Sequence, residues 1–367
     1  MRVLSTILPA LGLASVVSAK YSLHEDYGTN GSFFDKFNFF TDSDPTNGYV
    51  NYVNRNDAQS NGLINASTSN GVYIGVDHSN TASKPGRKSV RLESSNTYQH
   101  GLVILDLAHM PGSVCGSWPA FWMLGSSWPN HGEIDIIEGV NTQSQNQMTL
   151  HTADGCSIKN SGFSGTLDTD NCYVDASGQS ANAGCAIQSS DTKSFGSGFN
   201  DAGGGVYATE WTGSAISVWF FPSSSIPSDI SSGSPDPTGW GNPTAKFAGS
   251  CDIDEHFKDL QIVFDITFCG DWAGEDSVWS SSTCSSKAST CNDYVQNNPS
   301  AFEDTYWRLN SLKVYQESSS GLDIGVDVDL DLDINIGSNK RAGTAPYLRP
   351  GPRPQHHRGR RHGHRHA

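Results

Sequence analysis

The chain has 367 residues, of which 36% are hydrophobic, 17% charged and 38 are glycine, with a formal net charge of −15. Residues 321–367 carry eight Lys/Arg against five Asp, so with Arg2 set aside the excess of acid on residues 20–320 is −19; a surface of that sign repels polyanions and excludes nucleic acid as a natural partner, while an uncharged polysaccharide is indifferent to it. No segment after the first twenty residues approaches the ~20 apolar residues of a membrane-spanning helix, so no membrane partner is expected.

Residues 1–19, MRVLSTILPALGLASVVSA, run from one Arg through an apolar stretch to the small residues Val17, Ser18 and Ala19. That is the pattern of an export signal cleaved after Ala19, and it predicts a secreted, extracellular protein. Asn30 (Asn-Gly-Ser) and Asn65 (Asn-Ala-Ser) are N-glycosylation sequons, which fits export.

From about Tyr21 to Gln316 the texture is even. Short apolar or alternating runs (GVYIGVD, KSVRLES, GLVILDLA, EIDIIE, MTLHT, AISVWFF, LQIVFDITF, WRLNSLKVY) are separated by Gly, Asn, Asp, Ser and Pro. Such spacing predicts an all-β sandwich of antiparallel strands. Sustained i, i+3, i+4 apolar periodicity is absent, so helices should be few and short. Residues 221–245, FPSSSIPSDISSGSPDPTGWGNPTA, read as a loop long enough to shape a cleft.

All eight cysteines (Cys115, Cys156, Cys172, Cys185, Cys251, Cys269, Cys284, Cys291) follow the leader. An even number in an oxidising compartment points to disulfides, and the lack of any C-x-x-C pair or Cys/His cluster argues against zinc. Spacing leaves the connectivity open, apart from the expectation that the near neighbours Cys284 and Cys291 close a small loop.

The strongest local signal is Glu133-Ile134-Asp135-Ile136-Ile137-Glu138, three carboxylates among β-branched aliphatics. On a regular strand Glu133 and Asp135 share one face, and Glu138, at an odd offset, falls on the other, among the core residues. A β-bulge within Asp135–Ile137 restores the phase and puts all three acids on one face. The two Glu backbones would then lie about 13 Å apart at ~3.3 Å per step, a gap that two long side chains can close to the ~5–5.5 Å of a retaining glycosidase. Acids packed so tightly share protons, leaving one ionised as a nucleophile and another protonated as a general acid. The competing reading is a solvated acidic face of an ordinary strand.

Trp118, Trp122 and Trp128 lie just upstream. Indole faces stack on pyranose rings, although Trp118 and Trp122 also read as core side chains; Trp128, in the turn Trp128-Pro129-Asn130, is the one most expected to face substrate. On the downstream strand MTLHT, His151 is placed either beside the acids or as a satisfied structural histidine. After residue 320, GLDIGVDVDLDLDINIG alternates Asp with aliphatics, and from Lys340 the tail is basic and rich in His and Pro. Both stretches are expected to be disordered, with a dibasic processing site at Lys340-Arg341.

The segments WPAFWMLG, WPNHGEIDIIEGVN, TLHT, FNDAGGGVYATEW and FCGDWAGEDSVW, in that order, resemble glycoside hydrolase family 16 in its fungal laminarinase branch, over roughly residues 21–316. The resemblance implies a β-jelly-roll (concanavalin A-like) sandwich with an open cleft on its concave sheet, and retention of anomeric configuration. It implies Glu133 as nucleophile, Glu138 as acid/base and Asp135 as assistant to the nucleophile. The longer E-x-D-x-x-E form is similar to that of laminarinases rather than to the E-x-D-x-E of lichenases and transglycosylases. By the same resemblance Trp122, Trp128, His151 and Trp272 are expected along the cleft, with Arg91 from the KSVRLES strand, and Trp118 is a further substrate-binding candidate from its place in the tryptophan-rich stretch. No cofactor is required, and a structural calcium occurs in the family on the convex side. The expected protein is therefore a monomeric, secreted endo-β-glucanase of one catalytic domain at 20–320, acting on β-1,3 and mixed β-1,3/1,4 glucans. The alternatives are a cell-wall glucan transglycosylase and a non-catalytic glucan-binding lectin on the same fold.

Overall fold

The computed structural model describes residues 20–67 and 69–318. The expectations for the export signal at 1–19, for the tail at 321–367 and for Lys340-Arg341 lie outside the described residues.

Among the described residues the strands build two eight-stranded sheets. One runs Thr166–Leu167, Cys185–Gln188, Gln147–His151, Glu133–Glu138, Ser117–Gly125, Leu260–Phe268, Leu92–Tyr98, Phe37–Phe39, antiparallel throughout. The other runs Ala245–Phe247, Ile216–Pro222, Gly205–Trp211, Gly101–His109, Tyr306–Glu317, Gly71–Gly75, Ile64–Ser67, with Tyr21–Asp26 also paired to Tyr306–Glu317. The alternation in the sequence explains the layering. Phe121, Met123, Met148, Leu150, Ile262, Phe264 and Ile266 point inward from the first sheet, Val103, Leu105, Leu107, Val72, Ile74 and Trp307 from the second, and all are buried in one cluster. Each such side chain stabilises the fold by about 1.5–3 kcal/mol through apolar burial. Helices are short as expected: those of the α type run from four to seven residues among the described ones.

Three details differ from the sequence-based expectations. The KSVRLES run is not one strand: Arg87–Ser89 pairs in parallel with Val50–Tyr52, and Leu92–Tyr98 joins the large sheet. The hydroxyl of Ser89, donating to the Ile266 carbonyl at 2.6 Å, marks the crossing between the two pairings. Residues 221–245 do not wall a cleft over the acids. Phe221, Ile226, Ile230 and Trp240 instead cover Leu102, Ile104, Val206 and Tyr315 on the outer face of the second sheet, where apolar residues of alternate parity would otherwise meet water.

The disulfides are Cys115–Cys284, Cys156–Cys251, Cys172–Cys185 and Cys269–Cys291. Cys284 and Cys291 are not joined to each other. Cys115 precedes the Ser117–Gly125 strand and Cys269 follows its neighbour Leu260–Phe268, whose ends meet at Phe268 and Ser117. Each strand end takes one cysteine of the helical stretch, closing separations of 169 and 22 residues that restrict the unfolded chain more than a short local loop would.

Candidate active site

The predicted bulge is present. Against Ser117–Gly125 the register runs Glu133 to Leu124, Ile134 to Met123, Asp135 to Trp122, then Ile137 to Phe121 and Glu138 to Ala120, so Ile136 is the extra residue. Directly paired residues share a face. Glu133, Asp135 and Glu138 therefore lie with Leu124, Trp122 and Ala120 on the outer side of the sheet, and Ile134, Ile136 and Ile137 are fully buried in the core.

An extra residue in a ladder leaves backbone groups without strand partners. Asn146, itself fully buried, supplies them: its Oδ1 accepts from the Glu138 N–H at 2.9 Å and its Nδ2 donates to the Ile136 carbonyl at 2.8 Å. The Ser194 hydroxyl oxygen accepts from the Asn146 N–H at 2.9 Å and fixes the clamp in turn. At the other end of the strand, Gly132 has φ +74°, and a Cβ there would lie 2.5 Å from the Phe257 ring and 2.6 Å from the His256 carbonyl oxygen. Only glycine fits the approach to Glu133.

The next strand adds Gln147, Thr149 and His151, opposite Glu138, Asp135 and Glu133 respectively. His151 Nε2 lies 3.3 Å from Asp135 Oδ2 without the alignment of a hydrogen bond, and Asp135 is 2% exposed. Burial, followed by the charge of Glu133 and a proton shared with it, holds the Asp135 carboxyl well above the usual carboxylate range. Glu138 is also held well above that range, by burial first and the Asp135 charge second, although the indole N–H of Trp118 donates to Glu138 Oε1 at 2.8 Å and opposes the shift, as does His151. The arrangement thus favours the protonated form of Glu138 and lets Asp135 hydrogen-bond to Glu133. Oxygen and nitrogen atoms of Glu133, Asp135 and His151 all lie within 4.8 Å of one another, a spacing that would also suit a metal ion. That set belongs to the acid face and is not the convex-side calcium site implied by the resemblance.

The aromatic candidates separate by position. Trp118 meets Trp272 edge to face with centroids 5.6 Å apart, which joins the Gly270–Ala273 turn to the acid face. Asn141 secures that turn by donating to the Ala273 carbonyl at 3.0 Å while its Oδ1 accepts from the Gly116 N–H. Trp122 stands between the acids and Arg91, whose guanidinium lies 4.9 Å from its ring on one side and 4.5 Å from Phe40 on the other. Arg91 itself is 4% exposed and paired with Glu93 at 2.8 Å, so it sets the posture of Trp122 from beneath rather than presenting charge to solvent. Trp128, 44% exposed, stands at the turn before Glu133.

Two residues with no motif of their own complete the site. Asp265 sits opposite Ala120, across the Ser117–Gly125 strand from Glu138, and accepts a hydrogen bond from the Tyr52 hydroxyl at 3.2 Å. Its burial, only partly countered by Arg91, pushes its pKa up to about 7. An Asp within the aliphatic run LQIVFDITF is the same kind of signal that singled out Asp135. Asn146 carries no such signal, since it lies in a polar turn.

Residues 37–315 match the family description "XgeA-like, catalytic GH16 domain". An endo-1,3(4)-beta-glucanase of Arthroderma benhamiae is 52% identical over 314 residues, covering 84% of this chain and 67% of that protein. A probable endo-1,3(4)-beta-glucanase of Neosartorya fischeri is 48% identical over 85% of this chain and 48% of its own length, so the chain spans about half of that relative. Among solved structures, an elongating GH family 16 beta-1,3-glucosyltransferase is 48% identical with a TM-score of 0.73, over 81% of this chain and all of that one. Laminarinase 16A of Phanerochaete chrysosporium, with beta-glucans in donor and acceptor sites, is 43% identical with a TM-score of 0.76, over 81% and 99%.

Proposed function

Because the chain belongs to glycoside hydrolase family 16, we propose that it is a secreted retaining endo-β-glucanase cleaving β-1,3 and mixed β-1,3/1,4 glucans, with Glu133 as nucleophile and Glu138 as acid/base. The observation that carries this reading is the bulged strand, which turns both glutamates to one face, and the burial that disfavours ionisation of Glu138 supports its role as the acid. In the first step a Glu133 oxygen bonds to the anomeric carbon, the glycosidic C–O bond breaks, and the Glu138 proton passes to the leaving oxygen. In the second, water gives its proton to Glu138 and its oxygen to the anomeric carbon, releasing Glu133. Asp135, whose ionised form burial disfavours, hydrogen-bonds to the nucleophile. Trp118, Trp122, Trp128 and Trp272 line the glucan path by stacking on sugar faces, with His151 beside the reacting pair. No cofactor enters either step. The export pattern of residues 1–19 and four disulfides support an extracellular site of action.

A second reading is transfer, in which a sugar hydroxyl replaces water in the second step with the same proton movements. The 48% identity to an elongating glucosyltransferase favours keeping it. Time-resolved NMR of products from laminari-oligosaccharides tests both. Initial β-anomer is expected from retention, initial α-anomer would overturn it, and products longer than the starting oligosaccharide would identify transfer.

A further inference from the structure

The sheet opposite the acids has a recess of about 540 Å³, within the range of sugar-sized binding sites, lined by Asn65, Tyr73, Asn70, Gln59 and Arg308 among others. Asn65 is exposed in Ile64–Ser67, the last strand of its sheet, and begins the sequon Asn65-Ala66-Ser67. Its neighbour across the ladder is Tyr73, the neighbour of Tyr73 is Arg308, and that of Arg308 is His109. One row thus crosses four strands on the outer face, with facing side chains about 5 Å apart.

Aromatic rings continue that row. The Tyr306 ring centroid lies 3.8 Å from that of His109, stacked within 5°, and 5.0 Å from that of Tyr73. Gly75, paired with Tyr306, leaves the room this needs, since an added Cβ would stand 2.4 Å from the Tyr73 hydroxyl. Tyr73 is the end ring of the three, half-buried on the recess that Asn65 also lines. The Asn65 amide makes no hydrogen bond to the described residues. Asn30, in the other sequon, is occupied as a helix cap, its Oδ1 accepting from the Ser32 N–H at 2.9 Å.

We propose that Asn65 carries an N-linked glycan whose first N-acetylhexosamine packs against Tyr73, with Arg308 donating to its polar groups. The sugar's apolar face covers an aromatic ring otherwise left to water, and its bulk shields the open edge of Ile64–Ser67 from pairing with another chain. The bond forms between Asn65 Nδ2 and the sugar C1. A lipid-diphosphate-linked oligosaccharide, supplied by the secretory pathway of the host, is the donor: its C1–O bond breaks, the diphosphate leaves, and one amide proton is lost. The inference rests on the export reading of residues 1–19 and is independent of the chemistry on the acid face.

The test uses the full chain secreted from a fungal host. Peptide mass mapping should find hexosamine on the Asn65 peptide, and secreted protein with unmodified Asn65 would overturn the proposal. Endoglycosidase trimming to a single hexosamine should leave an unfolding equilibrium roughly three- to tenfold more favourable to the folded state than in Ser67→Ala, the effect of one added aromatic stack. Tyr73→Ala should abolish that difference with the sugar still attached; an equal difference in both backgrounds would overturn the packing. Rates on laminarin should match wild type in both variants. Unmodified Asn65 together with laminarin binding lost in Tyr73→Ala would make the recess a site for free glucan and end the proposal.

Discussion

Asn146 satisfies both the Glu138 N–H and the Ile136 carbonyl at the bulge, and its replacement gives a measurable test. In Asn146→Ala the Glu138 N–H and the Ile136 carbonyl both lose their partner in a fully buried place. Each such loss costs about 1–3 kcal/mol, so the fold should be destabilised by roughly 2–6 kcal/mol. For a domain of this size that lowers Tm by about 3–10 °C. Activity should fall further than stability, because moving a catalytic group by ~1 Å costs on the order of a hundredfold. Asn146→Asp separates the two roles of the amide. It keeps an acceptor for the Glu138 N–H, removes the donor to Ile136, and places a second carboxylate beside Glu138. Thermal unfolding and initial rates on laminarin at a temperature where every variant remains folded are the assays. A Tm within about 1 °C of wild type and a rate within about twofold for Asn146→Ala would show that the bulge is held by something else.

Glu133→Gln should leave the fold intact and lower turnover of laminarin by at least about a thousandfold, as loss of a nucleophile does; near-normal turnover would remove Glu133 from the reaction. Trp118→Phe removes the N–H that favours ionised Glu138, so the Glu138 pKa should rise further and the alkaline limb of the pH–rate profile should move up, by roughly one pH unit or more for a hydrogen bond to a charged group. A limb that stays in place or moves down would refute the acid role. Asp265 has a folded pKa of about 7, above the ~3.9 of an unfolded chain. Its contribution to stability is therefore fully present below about pH 4 and lost as pH rises through about 7. Asp265→Asn should flatten that decline, measured as denaturant midpoints at acid and alkaline pH, and an unchanged slope would contradict it. Trp128→Ala, at an exposed position, should raise KM on laminarin with kcat nearly unchanged; the reverse pattern would place Trp128 at the reacting bond.

The acid face was legible because its signal is local. An odd offset between Glu133 and Glu138 conflicts with a strand that must bury Ile134 and Ile137, and one bulge is the simplest resolution. What completes the site is not local. Asp265 reaches it only because Leu260–Phe268 pairs beside Ser117–Gly125, more than a hundred residues earlier in the chain, and parity along one strand says nothing about which strand lies next to it. Asn146 was invisible for a different reason, since a turn asparagine acquires its meaning from two backbone groups that a bulge elsewhere sets free. Cysteine spacing likewise suggested a bond between Cys284 and Cys291, whereas the meeting of two strand ends at Ser117 and Phe268 decided the pairing. Residues 221–245 had the composition of a cleft wall, and the outer apolar row of Leu102 and Ile104 claimed them instead.

The two bonds at those strand ends, Cys115–Cys284 and Cys269–Cys291, bracket the short stretch that holds Trp272 against Trp118. The sandwich beneath is built from long ladders and a continuous apolar interior in which those four cysteines are themselves packed. With all four of these cysteines buried, the two bonds should withstand a mild reductant for as long as the protein stays folded, so the wall that Trp272 gives to the acid face should outlast treatments that open exposed disulfides.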